Sequence, residues 1–290
     1  MPLSHFGLVL LVCLAWGGNF LAAAVALQQI PPLLFTALRL GVVLICLLPW
    51  LRPIPRDQIG LVVAVSLLNG ALHFGLNFWA LRLAGDISST AIALQSYIPM
   101  TALLAVWLLG ERIPRRVVAG IAIAFCGVLV LGFDPLVLDA PAALATTLLA
   151  AFTLALGTTL MRRMRGVGTF ELQAWGALLG IPCLLLASGL FESGQQVALA
   201  DADWRAWAGA AYSGLIASLV GHGLLYWLVQ RHPVSLITPY LLIAPVFAIA
   251  LGVLVWGDRL GPRLIVGGAM VLGGVLAIST RAWSQRRGSA

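Results

Sequence analysis

Gly110-Glu111-Arg112 closes one apolar stretch of this chain, and Gly257-Asp258-Arg259 closes another 147 residues later. At the same offset Arg116 meets Arg263, Gly120 meets Gly267 and Gly127 meets Gly274. Upstream the correspondence continues with a small slip. Pro99 meets Pro245, Phe78-Trp79 meets Tyr226-Trp227, and His73 meets His222. Short insertions and deletions in loops produce such drift. Self-similarity at one long period marks an internal duplication.

Around these anchors the chain divides into apolar stretches. A membrane-spanning helix needs about 20 mostly apolar residues. Ten stretches qualify: 7–27, 32–51, 58–81, 87–109, 114–132, 141–161, 169–190, 204–229, 234–256 and 262–281. Their connectors are short and carry Pro, Asp, Arg or Gly, apart from a longer one over 191–203. The duplication places five spans in each half, residues 1–135 and 136–290. Five is odd, so the second half must insert upside down relative to the first. The reading is an all-α integral membrane protein of ten transmembrane helices, two inverted five-helix repeats around a central cavity. Inverted repeats of this kind recur in secondary transporters, with the site near midplane between the halves.

Composition agrees. Of 290 residues 61% are hydrophobic and 9% charged, where a soluble domain carries about 25% charged residues. Mean hydropathy is +1.02. All 17 basic residues are Arg, and the formal net charge is +7. These arginines sit in short loops between apolar spans rather than on one face of a soluble domain, which argues against a nucleic-acid partner. They set topology instead. With the N-terminus in the cytoplasm, twelve fall inside: Arg52, Arg56, Arg112, Arg115, Arg116, Arg162, Arg163, Arg165, Arg231, Arg281, Arg286 and Arg287. Four fall outside: Arg82, Arg205, Arg259 and Arg263. The positive-inside rule therefore places both termini in the cytoplasm of a multi-pass inner-membrane protein. The first span lacks the basic n-region of a cleaved signal peptide. Cys13, Cys46, Cys126 and Cys183 lie in apolar stretches without CxxC or histidine at ligand spacing, so neither a metal nor another cofactor is expected.

Ordered motifs accompany the repeat. Ala15-Trp16-Gly17-Gly18-Asn19-Phe20 lies in the first span, and Pro31-Pro32 with Arg39 marks the second. Phe78-Trp79-Ala80-Leu81 follows in the third, then Tyr97-Ile98-Pro99 and Leu109-Gly110-Glu111-Arg112 in the fourth. The second half has Ala244-Pro245-Val246-Phe247 and Gly257-Asp258-Arg259, with Asp258 where Glu is usual. In these motifs, over essentially its whole length, the chain resembles the EamA-type drug/metabolite transporters. The resemblance implies a basket of ten helices exporting amino acids, aromatic ones among them, or purines or drug-like metabolites. A non-gated small-solute channel is the alternative architecture for the same spans.

Polar residues inside spans are costly and face the bundle interior. Asn69, His73 and Asn77 recur every four residues in the third span, and Ser218, His222 and Tyr226 do so in the eighth. Four residues of α-helix advance about 400°, so each trio forms a slowly turning stripe, expected to line the pathway. Interhelical hydrogen bonding away from the pathway is the competing role. Pro99 and Pro245 sit mid-span and should kink the fourth and ninth helices, as hinges or as static bends. Gln95 and Tyr97 border the first kink and Tyr240 precedes the second.

Arg39 is the one charge deep in a span. It either faces a substrate carboxylate or is satisfied by Asn19, carbonyls and snorkelling. Phe74, Phe78, Trp79, Trp175, Trp227 and other aromatics offer surface to an apolar or aromatic substrate. Glycines of the fifth and tenth spans permit close helix approach within the chain, or contact in a weak dimer of an otherwise monomeric protein. With no carboxylate at depth, transport driven by the substrate gradient is expected, with proton exchange through His73 and His222 left open. An enzyme is not expected. Ser213 and His222 lie nine residues apart on one helix, a rise of about 13.5 Å, and no HExxH or phosphate loop is present.

Overall fold

In the computed structural model the described residues are 2–110, 114–232, 237 and 240–279. Glu111, Arg112 and the C-terminal arginines fall outside them, as does the side chain of Tyr226. The regular secondary structure of the described residues is entirely helical, with no strand. Eight helices are long and apolar enough to cross a membrane. They are α1 (Leu3–Leu27), α2 (Pro32–Trp50), α3 (Arg56–Ala84), α4 (Ile87–Leu109), α5 (Arg115–Gly132), α6 (Pro141–Met161), α7 (Thr169–Phe191) and α8 (Trp204–Leu225, its last helical segment continuing to Arg231). Two shorter apolar helices come after them, α9 (Ile243–Trp256) and α10 (Pro262–Ser279). The connector expected over 191–203 is not plain loop, for it contains a short helix, Gln195–Asp201.

Packing is pairwise. α5 lies along α10, and α2 against α7; α3 meets α6 and α7, while α8 meets α1 and α2. α4 contacts α6 and α9, and α1 contacts α9. The α5–α10 seam is made by glycine. A Cβ on Gly120 would lie 2.9 Å from the Gly274 carbonyl, and one on Gly127 would lie 2.7 Å from the Gly267 carbonyl. The lower number on α5 meets the higher on α10, so the two helices run in opposite directions. Without a hydrophobic drive between helices in lipid, such close backbone contact supplies the association energy.

The repeated loop motif now has a structural account. Gly110 and Gly257 hold φ of +67° and +89° and end α4 and α9 in the left-handed conformation that glycine tolerates without a Cβ clash. Asp258, next to Gly257, reaches across to α4. Its Oδ2 accepts from Ile87 N at 3.0 Å, Ser88 N at 2.8 Å and Ser88 Oγ at 2.6 Å. Asp86 caps the same end, accepting from Ser89 N at 2.7 Å. Burial, together with the nearby Asp258 and Asp134 charges, pushes the Asp86 carboxyl above its ordinary range, partly offset by the Ser89 hydrogen bonds. Carboxylates at a helix N-terminus satisfy orphan N–H groups and favour the dipole. Asp258→Ala is therefore expected to cost about 1–2 kcal/mol, read as a lowered melting temperature in detergent; an unchanged melt would refute the capping role.

The bends fall where proline dictates. α4 breaks at Gln95-Ser96, four and three residues before Pro99, where the amides of Gln95 and Ser96 bond to Ile92 and Ala93 in tightened i−3 fashion. Pro99 removes one helical donor and crowds the Gln95 carbonyl. In the second half the regular helix restarts at Ile243, two residues before Pro245.

Candidate functional site

α3 and α8 are not continuous α-helices. Each widens into a π-helical stretch, Ser66–Leu72 in α3 and Tyr212–Gly221 in α8, and returns to α geometry at a histidine, His73 or His222. The same local distortion thus precedes both histidines that the repeat aligned. A π segment widens the turn and changes the angular phase of the residues beyond it, and such segments gather at functional sites. The four-residue stripe expected for Asn69, His73 and Asn77 requires unbroken α geometry, so its phase differs from that reading. Asn69 lies in the π stretch against α6, where its amide fills the space beside Gly157. His73 Nδ1 donates to the Ala150 carbonyl of α6 at 2.9 Å. In α8, Ser218 Oγ donates to the Ser213 carbonyl, five residues back, at 2.9 Å.

Arg39 of α2 is the centre of the arrangement. It is 2% exposed, among the most deeply buried large side chains of the described residues. Its Nη2 donates to Ser218 Oγ at 2.6 Å. Its guanidinium lies 3.8 Å from the centroid of the Phe74 ring and 5.3 Å from that of Phe78. A Cβ on Gly214 would stand 3.0 Å from the Arg39 carbonyl, so the π stretch of α8 presses directly on α2 here. His73 is tied to Arg39 through Phe74, the two rings lying 4.7 Å apart, and His222 through Ser218. His222 Nδ1 donates to the Ser218 carbonyl at 3.1 Å, and its ring lies 5.2 Å from that of Trp16. Because both histidines commit Nδ1–H to a carbonyl, the neutral imidazoles carry their lone pair on Nε2.

This centre is electrostatically unbalanced. Arg39 Nε and Nη1 are sealed from solvent without a hydrogen-bond partner among the described residues, and no carboxylate pairs with the guanidinium there. The amide oxygens of Asn19, Asn69 and Asn77 are likewise buried and unpartnered. A buried charge costs several kcal/mol in desolvation. One charge-assisted hydrogen bond returns about 1.5–3 kcal/mol, and a desolvated cation–π contact about 2 kcal/mol. Loss of the Ser218 hydroxyl should therefore be felt. Ser218→Ala is expected to destabilise the protein by about 2 kcal/mol in a detergent melt, while Thr at this position retains the hydroxyl and most of the stability. Equal destabilisation by both substitutions would contradict the bond's importance.

The remaining residues singled out in the sequence fall in three places. Asn77 is buried on α3 one turn beyond His73. Gln95 and Tyr97 sit at the α4 break, with Gln95 Nε2 donating to the Ala91 carbonyl at 3.4 Å. Trp175 is not at the centre: its Nε1 donates to the Arg52 carbonyl beyond the end of α2 at 3.1 Å. Tyr240 is also remote, its ring 5.4 Å from Phe6 near the chain start. Asn19 makes no bond to Arg39, and Ser218 takes only its Nη2.

Sequence reading missed two contributors. The Arg39–Phe74 stacking has no one-dimensional signal. Glu192, in the connector, caps α2 by accepting from Leu33 N at 2.7 Å and Leu34 N at 3.2 Å; Pro31-Pro32 at the helix start could have pointed to an acidic cap.

Comparison with known proteins places this geometry. The "Probable amino-acid metabolite efflux pump" of Escherichia coli (strain K12) is 28% identical over 92% of this chain and 92% of its own. The "Probable terminal-alkyne amino-acid exporter" of Streptantibioticus cattleyicolor is 26% identical over 81% of this chain and 78% of its own. A solved crystal structure superposes with a TM-score of 0.63 at 21% identity, covering 97% of this chain and 99% of that one, so the two share a fold. The EamA-like transporter family model matches residues 4–133 and again 141–280. This multi-pass membrane chain, with its buried polar centre between α2, α3 and α8, belongs to the EamA-like transporter family, a family of transporters rather than enzymes.

Proposed function

We propose that the protein is a secondary transporter exporting amino acids, aromatic ones among them, by alternating access about the Arg39 centre. The observation that carries this reading is the Arg39–Ser218 bond. It joins the two sequence halves at mid-span, with His73 against Phe74 on one side and His222 bonded to the Ser218 carbonyl on the other. Intramembrane ionisable and polar groups gathered in this way mark substrate pathways. The names of the relatives, an amino-acid metabolite efflux pump and an amino-acid exporter, support the substrate class.

The ten helices act as two inverted five-helix halves, 1–135 and 136–290. The antiparallel α5–α10 seam supports this, since copies inserted the same way up would set these two helices parallel. The contact pattern supports it further. Exchanging each helix for its repeat partner turns α3–α6 into α8–α1, α4–α6 into α9–α1 and α3–α7 into α8–α2, all of them contacts made. Pro99 and Pro245 break α4 and α9 at matching places, suited to hinging as the halves rock. The arginine distribution supports an inner-membrane location with both termini in the cytoplasm. The protein works as a monomer or weak dimer, driven by the substrate gradient, with proton exchange through the histidines the open alternative.

A screen of radiolabelled amino acids and nucleobases in membrane vesicles tests the reading. Amino acids should accumulate above vesicles lacking the protein; flux of nucleobases alone would overturn the substrate class. His73→Ala and His222→Ala are each expected to reduce flux roughly 10-fold or more, as loss of a hydrogen bond to substrate does. Wild-type flux in both would remove them from the pathway.

A further inference from the structure

We propose that Arg39 anchors a carboxylate of the transported molecule and that the amide oxygens of Asn77 and Asn19 receive hydrogen-bond donors at its other end; the proposal rests on the transporter reading above. Arg39 spends one nitrogen on Ser218 and holds two more, Nε and Nη1, shut off from solvent without a partner. No acid among the described residues supplies its counter-charge. Several of the chain's acids are committed elsewhere: Asp86 and Asp258 cap α4, and Glu192 caps α2. Phe74 covers one face of the guanidinium at 3.8 Å. A ligand therefore meets Arg39 in the guanidinium plane, where the N–H groups point and where a planar carboxylate bonds best.

Bare acceptors lie on two neighbouring helices. Asn77 lies three residues beyond Phe74 on the α-helical His73–Ala84 segment, hence on the same face. Its side chain is 4% exposed and its oxygen is an acceptor with nothing to accept, as is that of Asn19 on α1. Cationic donors on α2 and bare acceptors on α1 and α3 complement a zwitterion, with the Phe74 and Phe78 rings beside the guanidinium. A lipophilic cation finds the reverse: a fixed positive charge and two imidazoles with no acid beside them among the described residues.

The test uses wild-type protein in proteoliposomes and needs no variant to fold. Uptake of labelled L-phenylalanine is measured against unlabelled L-phenylalanine, L-phenylalaninamide, 3-phenylpropionate, phenethylamine and tetraphenylphosphonium, with the other labelled amino acids run in parallel. The amide and the amine should compete roughly 10- to 100-fold more weakly than the acid, the range a lost hydrogen bond to a charged group produces. Phenylpropionate, which keeps the carboxylate and lacks the ammonium, should fall between L-phenylalanine and these two. If the amide competes as well as the acid while amino acids are transported, the carboxylate anchor is wrong and the transport reading stands. If no amino acid is moved but carboxylates such as phenylpropionate are taken up saturably, the anchor stands and the amino-acid reading falls. Uptake of tetraphenylphosphonium with no carboxylate moved overturns both.

Discussion

Gly274→Ala is expected to leave little folded protein, while Gly273→Ala, one residue earlier on the same helix, melts at or above the wild-type temperature. The added methyl at 274 would stand 2.6 Å from the Gly120 carbonyl oxygen, 2.7 Å from Ala124 N and 2.9 Å from Ala124 Cβ. Two of these three are backbone atoms, which have no rotamer by which to retreat. The helices must separate, and the whole α5–α10 contact loosens with them. Overpacking of a tight site costs 1–3 kcal/mol and more where backbone must move, so about 3 kcal/mol or above is the expected scale here. At Gly273 nothing lies within 4 Å, and alanine gains about 1 kcal/mol of helix propensity. Size-exclusion profiles and thermal melts of the two variants in the same detergent check the pair. Similar behaviour of the two would show that the seam does not depend on backbone contact.

The second large effect concerns Arg39. Arg39→Met is expected to reduce transport roughly 100-fold or more, the scale for removing one partner of a buried charge interaction, in a protein that folds as well as wild type or better. Methionine keeps much of the apolar stem and removes a charge with two unpartnered nitrogens, and replacing buried ionic groups by apolar ones is often neutral or stabilising. Ser218 keeps its bond to the Ser213 carbonyl. A structural Arg39 gives the opposite pattern, with a lower melting temperature and near-normal flux per folded molecule. Flux normalised to monodisperse protein separates the two.

Each feature was legible in the sequence to the extent that it depends on local chemistry. Apolar length is a one-dimensional property, so span positions were readable to within a few residues, as α4 over Ile87–Leu109 and α6 over Pro141–Met161 illustrate. The glycines aligned by the repeat were readable as close-approach positions, though their pairing, 120 with 274 and 127 with 267, depends on helix direction. The α4 break was readable because proline's lost donor acts locally. The π stretches before His73 and His222 were not, since the Ser, Asn and Gly residues of Ser66–Leu72 and Tyr212–Gly221 fit an ordinary packed transmembrane helix equally well. Arg39's partners were undecidable for a related reason. Ser218 lies 179 residues away, and Asn19, nearer in sequence, was the natural choice. Trp175 and Tyr240 are polar-edged aromatics, which belong near the membrane interfaces as readily as in a pathway.

The most direct test of the central claim is counterflow. Purified protein is reconstituted into proteoliposomes preloaded with unlabelled amino acid, and uptake of the labelled form is monitored. Alternating access about the Arg39 centre predicts saturable uptake, accelerated by preloading and lost in Arg39→Met. Uptake that rises linearly with concentration and ignores the preloaded amino acid would contradict it and show a pore instead of a carrier.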